Sequence, residues 1–197
     1  MKRACIMLAG LACIMVSTLQ PALAADVMQG TVALGGGFNA SATFLDTDDG
    51  YPGDMGEERI LAGNLRLGYL FADNFEFGAR LMAEGRKGEI QGDGYSSTDV
   101  VFGPMVRVHL PLSNDVNMLL GTGLGYGFYN VDYEAAGAED VDADGWMIMV
   151  EGGFEYFFSD AVALEMIVEL GQRELEQGNN DYDRTFIRPS LGLSVYF

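Results

Sequence analysis

The chain has 197 residues, of which 29 are acidic and 11 basic, so its formal net charge at pH 7 is −18. This balance excludes the basic surface with which proteins bind nucleic acid. Hydrophobic residues nevertheless make up 49% of the chain. After the first 24 residues no stretch reaches the roughly 18 consecutive apolar residues that a membrane helix needs, so charge and apolar surface must be separated in another way.

Residues 1–24 have the features of a secretory signal peptide. Lys2 and Arg3 precede an apolar run from Ala4 to Val16, and Ala22-Leu23-Ala24 provides a cleavage site of small residues. The apolar run is too short for a membrane-spanning helix, which makes an uncleaved anchor the lesser alternative. We therefore expect the protein to be exported.

Cleavage after Ala24 would leave residues 25–197, a length that suits one domain. Cys5 and Cys13 both lie in the removed segment, so the exported chain would contain no disulfide, thiol nucleophile or lipid-modified cysteine. It would keep nine basic residues against all 29 acidic residues.

Apolar and polar residues alternate with a period of two through most of the remaining chain. From Thr31 to Phe44 most even positions are apolar and the odd positions are small or polar, which predicts a strand with one apolar face. Seven later segments repeat the pattern, so we predict eight strands. The later apolar faces run over Leu61–Phe71, Phe75–Leu81, Val100–Leu110, Val116–Phe128, Trp146–Phe158, Val162–Leu170 and Ile187–Phe197.

The predicted connections alternate between short and long. Short links occur at 72–74, 111–115 and 159–161, and long acidic links occur near 45–58, 85–98, 130–144 and 172–184. Outer-membrane barrels have short periplasmic turns, long outer loops and an aromatic girdle near each. A soluble β-sandwich should instead have a polar outer face. The pattern predicts an all-β fold, an eight-stranded antiparallel up-and-down transmembrane β-barrel.

The last strand is apolar on its outer face up to the final residue, with Leu191, Leu193, Val195 and Phe197 on that face. With the leader and the strand count, this ending resembles the small eight-stranded outer-membrane barrels of the opacity-protein and OmpA-like group. The resemblance implies a Gram-negative outer membrane, contact with its lipid and lipopolysaccharide, and recognition of the last strand, ending in Phe197, by the barrel-assembly machinery. It implies no single function, because the group includes structural proteins, adhesins and a few lipid-modifying enzymes.

The inward residues decide whether such a barrel is filled or open, because eight strands enclose just enough space for side chains. Pairing across the turn at 72–74 places Arg66 opposite Arg80, and pairing across 159–161 stacks four glutamates. These hairpins face each other across the lumen, so we expect arginine to neutralise glutamate, Glu155 included. The predicted lumen ion network comprises Arg66, Arg80, Arg107, Glu151, Glu155, Glu165, Glu169 and Arg188.

His109 is the only histidine and falls on the inward face near the periplasmic end. Without a second histidine or a cysteine it cannot complete a His-Asp protease site or a transition-metal cluster. We expect a hydrogen-bonded lumen residue. The alternate glycines from Gly121 to Gly127 also point inward, and the strand continues through them, which predicts room for large neighbours or strand curvature rather than a phosphate loop.

An EF-hand expression covers Asp140, Asp142, Asp144 and Gly145, with Glu151 as its last ligand. The following alternation predicts a strand, which would carry Glu151 roughly 20 Å from Gly145. The strand excludes the full EF-hand. We retain Asp140, Asp142 and Asp144 as a calcium site within the loop and expect no other cofactor.

A filled lumen favours a non-enzymatic barrel that contributes to envelope integrity or makes surface contact through acidic extracellular loops, whose partner the sequence does not identify. A narrow passive channel is the first alternative, in which clustered carboxylates would form a proton or cation path. A lipid-modifying enzyme is the second, although no residue is assigned a catalytic role.

Overall fold

The computed structural model describes residues 28–39, 42–45, 59–90, 93–134, 141–177 and 180–197. The predicted signal peptide, residues 1–24, lies outside these ranges. No helix within them is long and apolar enough to cross a membrane. The strand segments are β1 (Val32–Asn39), β2 (Ala42–Leu45), β3 (Arg59–Ala72), β4 (Phe75–Ile90), β5 (Asp93–Ser113), β6 (Val116–Tyr133), β7 (Val141–Ser159), β8 (Val162–Gln177) and β9 (Asn180–Tyr196).

The strands close into a ring. From β3 to β9 each strand pairs with the next one in antiparallel orientation, and β1 pairs with both β3 and β9. β1 and β2 follow one another along β9 in a single register, since Asn39 lies opposite Ser190 and Ala42 lies opposite Ile187. The two segments are therefore one strand of the ring, and the predicted eight-stranded up-and-down barrel is confirmed.

Pro189 removes one backbone donor from β9. Val32 and Phe197 exchange both backbone hydrogen bonds between β1 and β9, and this pattern recurs at every second residue of an antiparallel pair. Pro189 lies eight residues before Phe197, so its position is one from which β9 would donate toward β1 and β2, and proline has no N–H to donate.

The outer hairpins contain more strand than the sequence predicts. β4 continues to Ile90 and β5 begins at Asp93, so the link expected near 85–98 is mostly paired strand. The links near 130–144 and 172–184 are shortened in the same way. Apolar and polar residues alternate only where one face of a strand contacts lipid. The hydrogen bonds between strands continue beyond the lipid into water. The end of the alternation therefore marks the membrane boundary and not the end of the strand. The link at 46–58 lies outside the described residues.

The outer and inner faces of the ring differ in chemistry. Large hydrophobic side chains are exposed on the outer face, for example Leu61 at 74% and Phe38 at 77%. The rings of Tyr126 and Trp146 lie 5.0 Å apart on that face toward the outer hairpins. An apolar wall this continuous requires lipid around it, whereas the polar side chains turn into the lumen.

Candidate functional site in the barrel interior

The barrel interior is lined mainly by ionisable side chains. Among the described residues, six arginines and six glutamates are buried together with His109. The interior charge is therefore nearly balanced, although the whole chain has a net charge of −18. The buried charges are Arg66, Arg80, Arg107, Arg173, Arg184, Arg188, Glu76, Glu84, Glu151, Glu155, Glu165 and Glu169.

An apolar cluster lies in the lumen toward the short turns. It consists of Ala33, Leu70, Phe157, Ala163 and Tyr196, all buried. The ring centroids of Phe157 and Tyr196 lie 5.4 Å apart. We call this cluster the floor; it places packed hydrocarbon at this end of the barrel interior.

His109 bridges two carboxylates immediately above the floor. Its Nδ1 lies 2.7 Å from Glu155 Oε1, and its Nε2 lies 3.0 Å from Glu76 Oε2. Glu155 also accepts hydrogen bonds from Asn117 Nδ2 at 2.8 Å and from the Tyr196 hydroxyl at 2.6 Å. The histidine is thus a hydrogen-bonded lumen residue, as the sequence predicts.

Arg66 and Arg107 share Glu165 at the next level. Arg66 Nη2 lies 2.8 Å and Arg107 Nη1 lies 3.0 Å from Glu165 Oε1. Arg66 Nη1 also reaches Glu76 Oε2 at 3.1 Å. Ser194 completes this level, because its hydroxyl accepts from Arg66 Nη2 and donates to Glu165 Oε1. Charges on opposite walls of the barrel therefore meet in direct hydrogen bonds.

Arg80 is the next cation toward the extracellular end. It contacts Glu151 and also Glu169, whose Oε1 lies 2.6 Å from Arg80 Nη1. The second oxygen of Glu151 accepts from Arg107 Nε at 2.6 Å. Glu169 in turn lies 3.9 Å from Arg188 Nη1. The ion pairs thus continue without a break from one level to the next.

Seven of the eight residues in the predicted network contact one another through ion pairs, and Glu155 does not. Its partners are His109, Asn117 and Tyr196, so the expectation that Arg66 and Arg80 neutralise it is wrong. Strands tilt and stagger around a barrel, so residues at equal distances from their turns on opposite walls stand at different heights.

The alternate glycines of β6 make room for large neighbours, as the sequence predicts. A Cβ at Gly121 would lie 2.6 Å from Glu151 Oε1, and one at Gly123 would lie 2.7 Å from Met149 Cε. The neighbours are a glutamate and a methionine. Met149 belongs to a second buried apolar cluster, which we call the belt and which consists of Met82, Val101, Met147, Met149 and Phe186.

Arg173 and Arg184 form a further charged level beyond the belt, and the sequence analysis missed both. They lie opposite each other on β8 and β9. Arg173 Nη1 pairs with Asp99 Oδ1, and Arg184 Nη1 lies 3.6 Å from Asp99 Oδ2. Arg173 and Arg184 occupy inward positions of their strands, so strand parity would have found them had the segment 172–184 not been assigned to a loop.

Two cavities differ in size and place. The cavity beside Arg66, Arg80 and Glu165 has a volume of about 10 Å³, which is roughly the space for one water molecule. A larger cavity of about 740 Å³ lies at the face of the short turns, lined in part by residues 114–115 and 159–160. Of these two, the larger is therefore at the end of the barrel and the smaller lies among the ion pairs.

Two of the three predicted calcium ligands lie on a strand and not in a loop. Asp142 and Asp144 lie on β7 with exposed side chains. Asp142 accepts from Asn130 Nδ2 at 2.5 Å and Asp144 accepts from the Tyr126 hydroxyl, because β7 pairs with β6 through this region. Asp140 lies outside the described residues. Within the part of the chain that is described, no three His, Cys, Asp or Glu residues could hold a metal ion together.

The ring of eight strands, its lipid-facing wall and its charged interior define a small outer-membrane β-barrel of the opacity-protein and OmpA-like type. The family model of the outer membrane protein beta-barrel domain matches residues 9–197. The chain belongs to this family, and its location is the outer membrane of a Gram-negative bacterium. The short turns accordingly face the periplasm.

Solved structures of other outer-membrane proteins share this fold. OprG from Pseudomonas aeruginosa is 16% identical, with a TM-score of 0.55 over 89% of this chain and 99% of that chain. Neisserial surface protein A is 15% identical, with a TM-score of 0.58 over 85% and 96%. Ail, the attachment invasion locus protein of Yersinia pestis, is 14% identical, with a TM-score of 0.53 over 86% and 100%. Comparison with curated proteins found no match.

Proposed function

We propose that the protein is a non-enzymatic outer-membrane barrel with a sealed lumen, which contributes to envelope integrity or to surface contact through its outer hairpins. The observation that carries this proposal is an unbroken chain of buried ion pairs from Glu155 to Glu84. Buried charges that pair with one another act as a core, even though single atoms such as Arg66 Nε and Arg80 Nε have no hydrogen-bond partner.

The surroundings of His109 argue against the enzyme alternative. The residue is fully buried, and each ring nitrogen is engaged by a carboxylate, Glu155 or Glu76. A general base must have a nitrogen within reach of a substrate proton. His109 therefore supports the barrel wall from within and is not available for proton transfer to a bound substrate.

The floor and the belt argue against the channel alternative. Both place packed hydrocarbon in the lumen, and the cavity beside Arg66, Arg80 and Glu165 has a volume of about 10 Å³. We expect the purified protein in planar bilayers to leave the conductance at the level of protein-free bilayers. Discrete current steps that grow with salt concentration would contradict a sealed lumen.

The role in the envelope is tested in cells that lack the protein. We expect greater leakage of periplasmic enzyme or weaker attachment to surfaces, with both restored by the wild-type gene. Mass spectrometry of outer-membrane lipid should be the same with and without the protein, whereas a missing lipid modification would favour the enzyme alternative.

The charge of the outer hairpins indicates which surfaces they could contact. Ail has been crystallised with the heparin analogue sucrose octasulfate, which is a polyanion. The hairpins of this chain would repel a polyanion, so that ligand is not carried over, and we propose cationic surfaces as partners. The exposed carboxylates of the hairpins include Asp132, Asp142, Asp144, Glu174, Glu176 and Asp183.

We also propose that the outer face of β9 is what the barrel-assembly machinery recognises. Leu191, Leu193 and Phe197 are exposed on this face at 54%, 52% and 74%. Phe197→Ser should lower the amount of barrel inserted in cells, while the purified variant should refold in detergent like the wild type because Phe197 is outside the core. An equal loss in detergent would assign Phe197 to folding instead of recognition.

A further inference from the structure

The charged level beyond the belt brings two cations together on neighbouring strands. Arg173 of β8 and Arg184 of β9 are directly opposed in register. Both contact the same carboxylate, Asp99. Like charges that face each other across a strand pair are destabilising, and anions beside them offset that cost. Asp99 is one such anion, and Glu84 lies opposite Asp99 in register.

Arg173 has two buried donors with no acceptor. The residue is 2% exposed, and its Nη1 is engaged by Asp99. Its Nε and Nη2 are buried and have no hydrogen-bond partner. These two atoms form the side edge of the guanidinium, the edge that binds two oxygens of one oxyanion as a fork. Leaving such donors unmet in the interior costs free energy that a ligand would recover.

We propose that the empty fork of Arg173 is a binding site for a phosphate group, with Arg184 as the second positive charge. Arg184 is held 5.0 Å above the ring of Tyr129 and 3.6 Å from Asp99, so its charge is fixed beside the fork. Asp99 aligns the two arginines and, as an anion itself, limits the affinity for phosphate.

The site opens toward the extracellular side. Side-chain exposure is 1% at Arg107 below the belt and rises to 10% at Arg184 and 12% at Asp99. Met82 and Phe186 of the belt lie between this level and the network beneath it, and the ion pairs pass the belt through Arg188 and Glu84, which lies opposite Asp99. Among the described residues, exposure at this level therefore increases toward the outer hairpins, which is the side from which a phosphate group would approach; the Arg173 side chain itself is 3% exposed.

Phosphate titration of the purified barrel tests the site. The protein is held in a sugar detergent without phosphate, at constant ionic strength with chloride as the replaced anion. We expect a saturable shift of the Arg173 Nε–Hε NMR signal and a higher urea midpoint with phosphate. An equal response to chloride overturns the proposal.

Three variants test whether phosphate binds at Arg173. Arg173→Gln removes the fork and should weaken phosphate binding by about tenfold or more. Asp99→Asn removes a neighbouring negative charge and should strengthen binding. Arg86→Gln is the matched control. Glu84 already occupies the corresponding edge of Arg86, through Nε at 2.6 Å and Nη2 at 2.5 Å. The phosphate affinity of the Arg86→Gln variant should therefore stay close to that of the wild type.

The Asp99→Asn variant keeps the test decisive if Arg173→Gln fails to fold. Affinity that does not rise in Asp99→Asn overturns the proposal on its own. Equal weakening by Arg173→Gln and Arg86→Gln also overturns it, because that result would reflect the net charge of the lumen mouth and not the fork.

The phosphate group could be a free ion or part of the lipid of the outer leaflet, and two arms of the titration distinguish these sources. Inorganic phosphate is added to the detergent solution in one arm, and purified lipopolysaccharide is added in the other. A saturable response to inorganic phosphate supports a soluble ligand, and a response to lipopolysaccharide alone supports a lipid-borne phosphate. No response in either arm overturns the site.

Discussion

Replacement of Arg80 by Ala is expected to lower the free energy of unfolding by about 3–5 kcal/mol, the usual cost of leaving a buried charge without its partner. Arg80 is 4% exposed and binds Glu151 and Glu169 together. After the change Glu169 would keep Arg188, 3.9 Å away, as an ion-pair partner. Reversible urea unfolding in detergent, followed by the fluorescence of Trp146, measures the loss.

Two further variants distinguish the cost of leaving a buried charge unpaired from the cost of losing side-chain volume. Arg80→Met with Glu169→Leu removes both members of the 2.6 Å pair and should regain part of the stability lost in the single variant, since an apolar pair can replace a buried ion pair. Met149→Leu, in the belt, should cost less than about 1.5 kcal/mol because it conserves volume. A loss within error for Arg80→Ala would mean that water reaches the carboxylates, which favours the channel.

The strand faces and hairpin registers could be predicted because both depend on local sequence. Parity assigns each residue to the lipid or to the lumen, and a short turn fixes which residues face each other. Arg66 lies opposite Arg80, and Glu151 lies opposite Glu169, as predicted. These pairs depend only on the turns at 72–74 and 159–161.

The heights of residues on opposite walls could not be predicted in this way. They depend on the tilt and stagger of the whole ring, which no single segment encodes. Glu155 illustrates the difference, because it stands at the level of His109 and Asn117 and not at that of Arg66. The sequence therefore identified most members of the network and misassigned one set of partners.

Arg173 and Arg184 were missed for another reason. Both lie within 172–184, which lacks strong hydrophobic alternation and was predicted to be a loop, whereas β8 continues to Gln177 and β9 begins at Asn180. Outside the lipid the outer face of a strand becomes polar, so the period-two signal disappears while the inward side chains remain buried. A functional residue in such an extension carries little sequence signal.

The second large change in stability is expected for charged substitutions on the lipid-facing wall of the barrel. Leu191→Arg is expected to lower the free energy of unfolding by about 2–4 kcal/mol, and Val195→Arg by about 0–1 kcal/mol, because the cost of a charge on the lipid face depends on depth. Leu191 is 54% exposed on the outer face of β9. It lies six residues before Phe197, which places it roughly 15 Å into the membrane for a strand tilted by about 40°.

Val195 lies on the same face only two residues before Phe197, where an arginine side chain can extend to the periplasmic headgroups. Both variants add the same charge to the same strand, between the same two neighbouring strands. The difference between their losses of unfolding free energy therefore reports the effect of depth in the membrane. Unfolding in lipid vesicles should give the larger loss for Leu191→Arg. In a lipid-free sugar detergent the difference should shrink, because a micelle adapts its thickness around the charge. Equal losses in vesicles, or the reverse order, would show that the membrane midplane crosses β9 elsewhere.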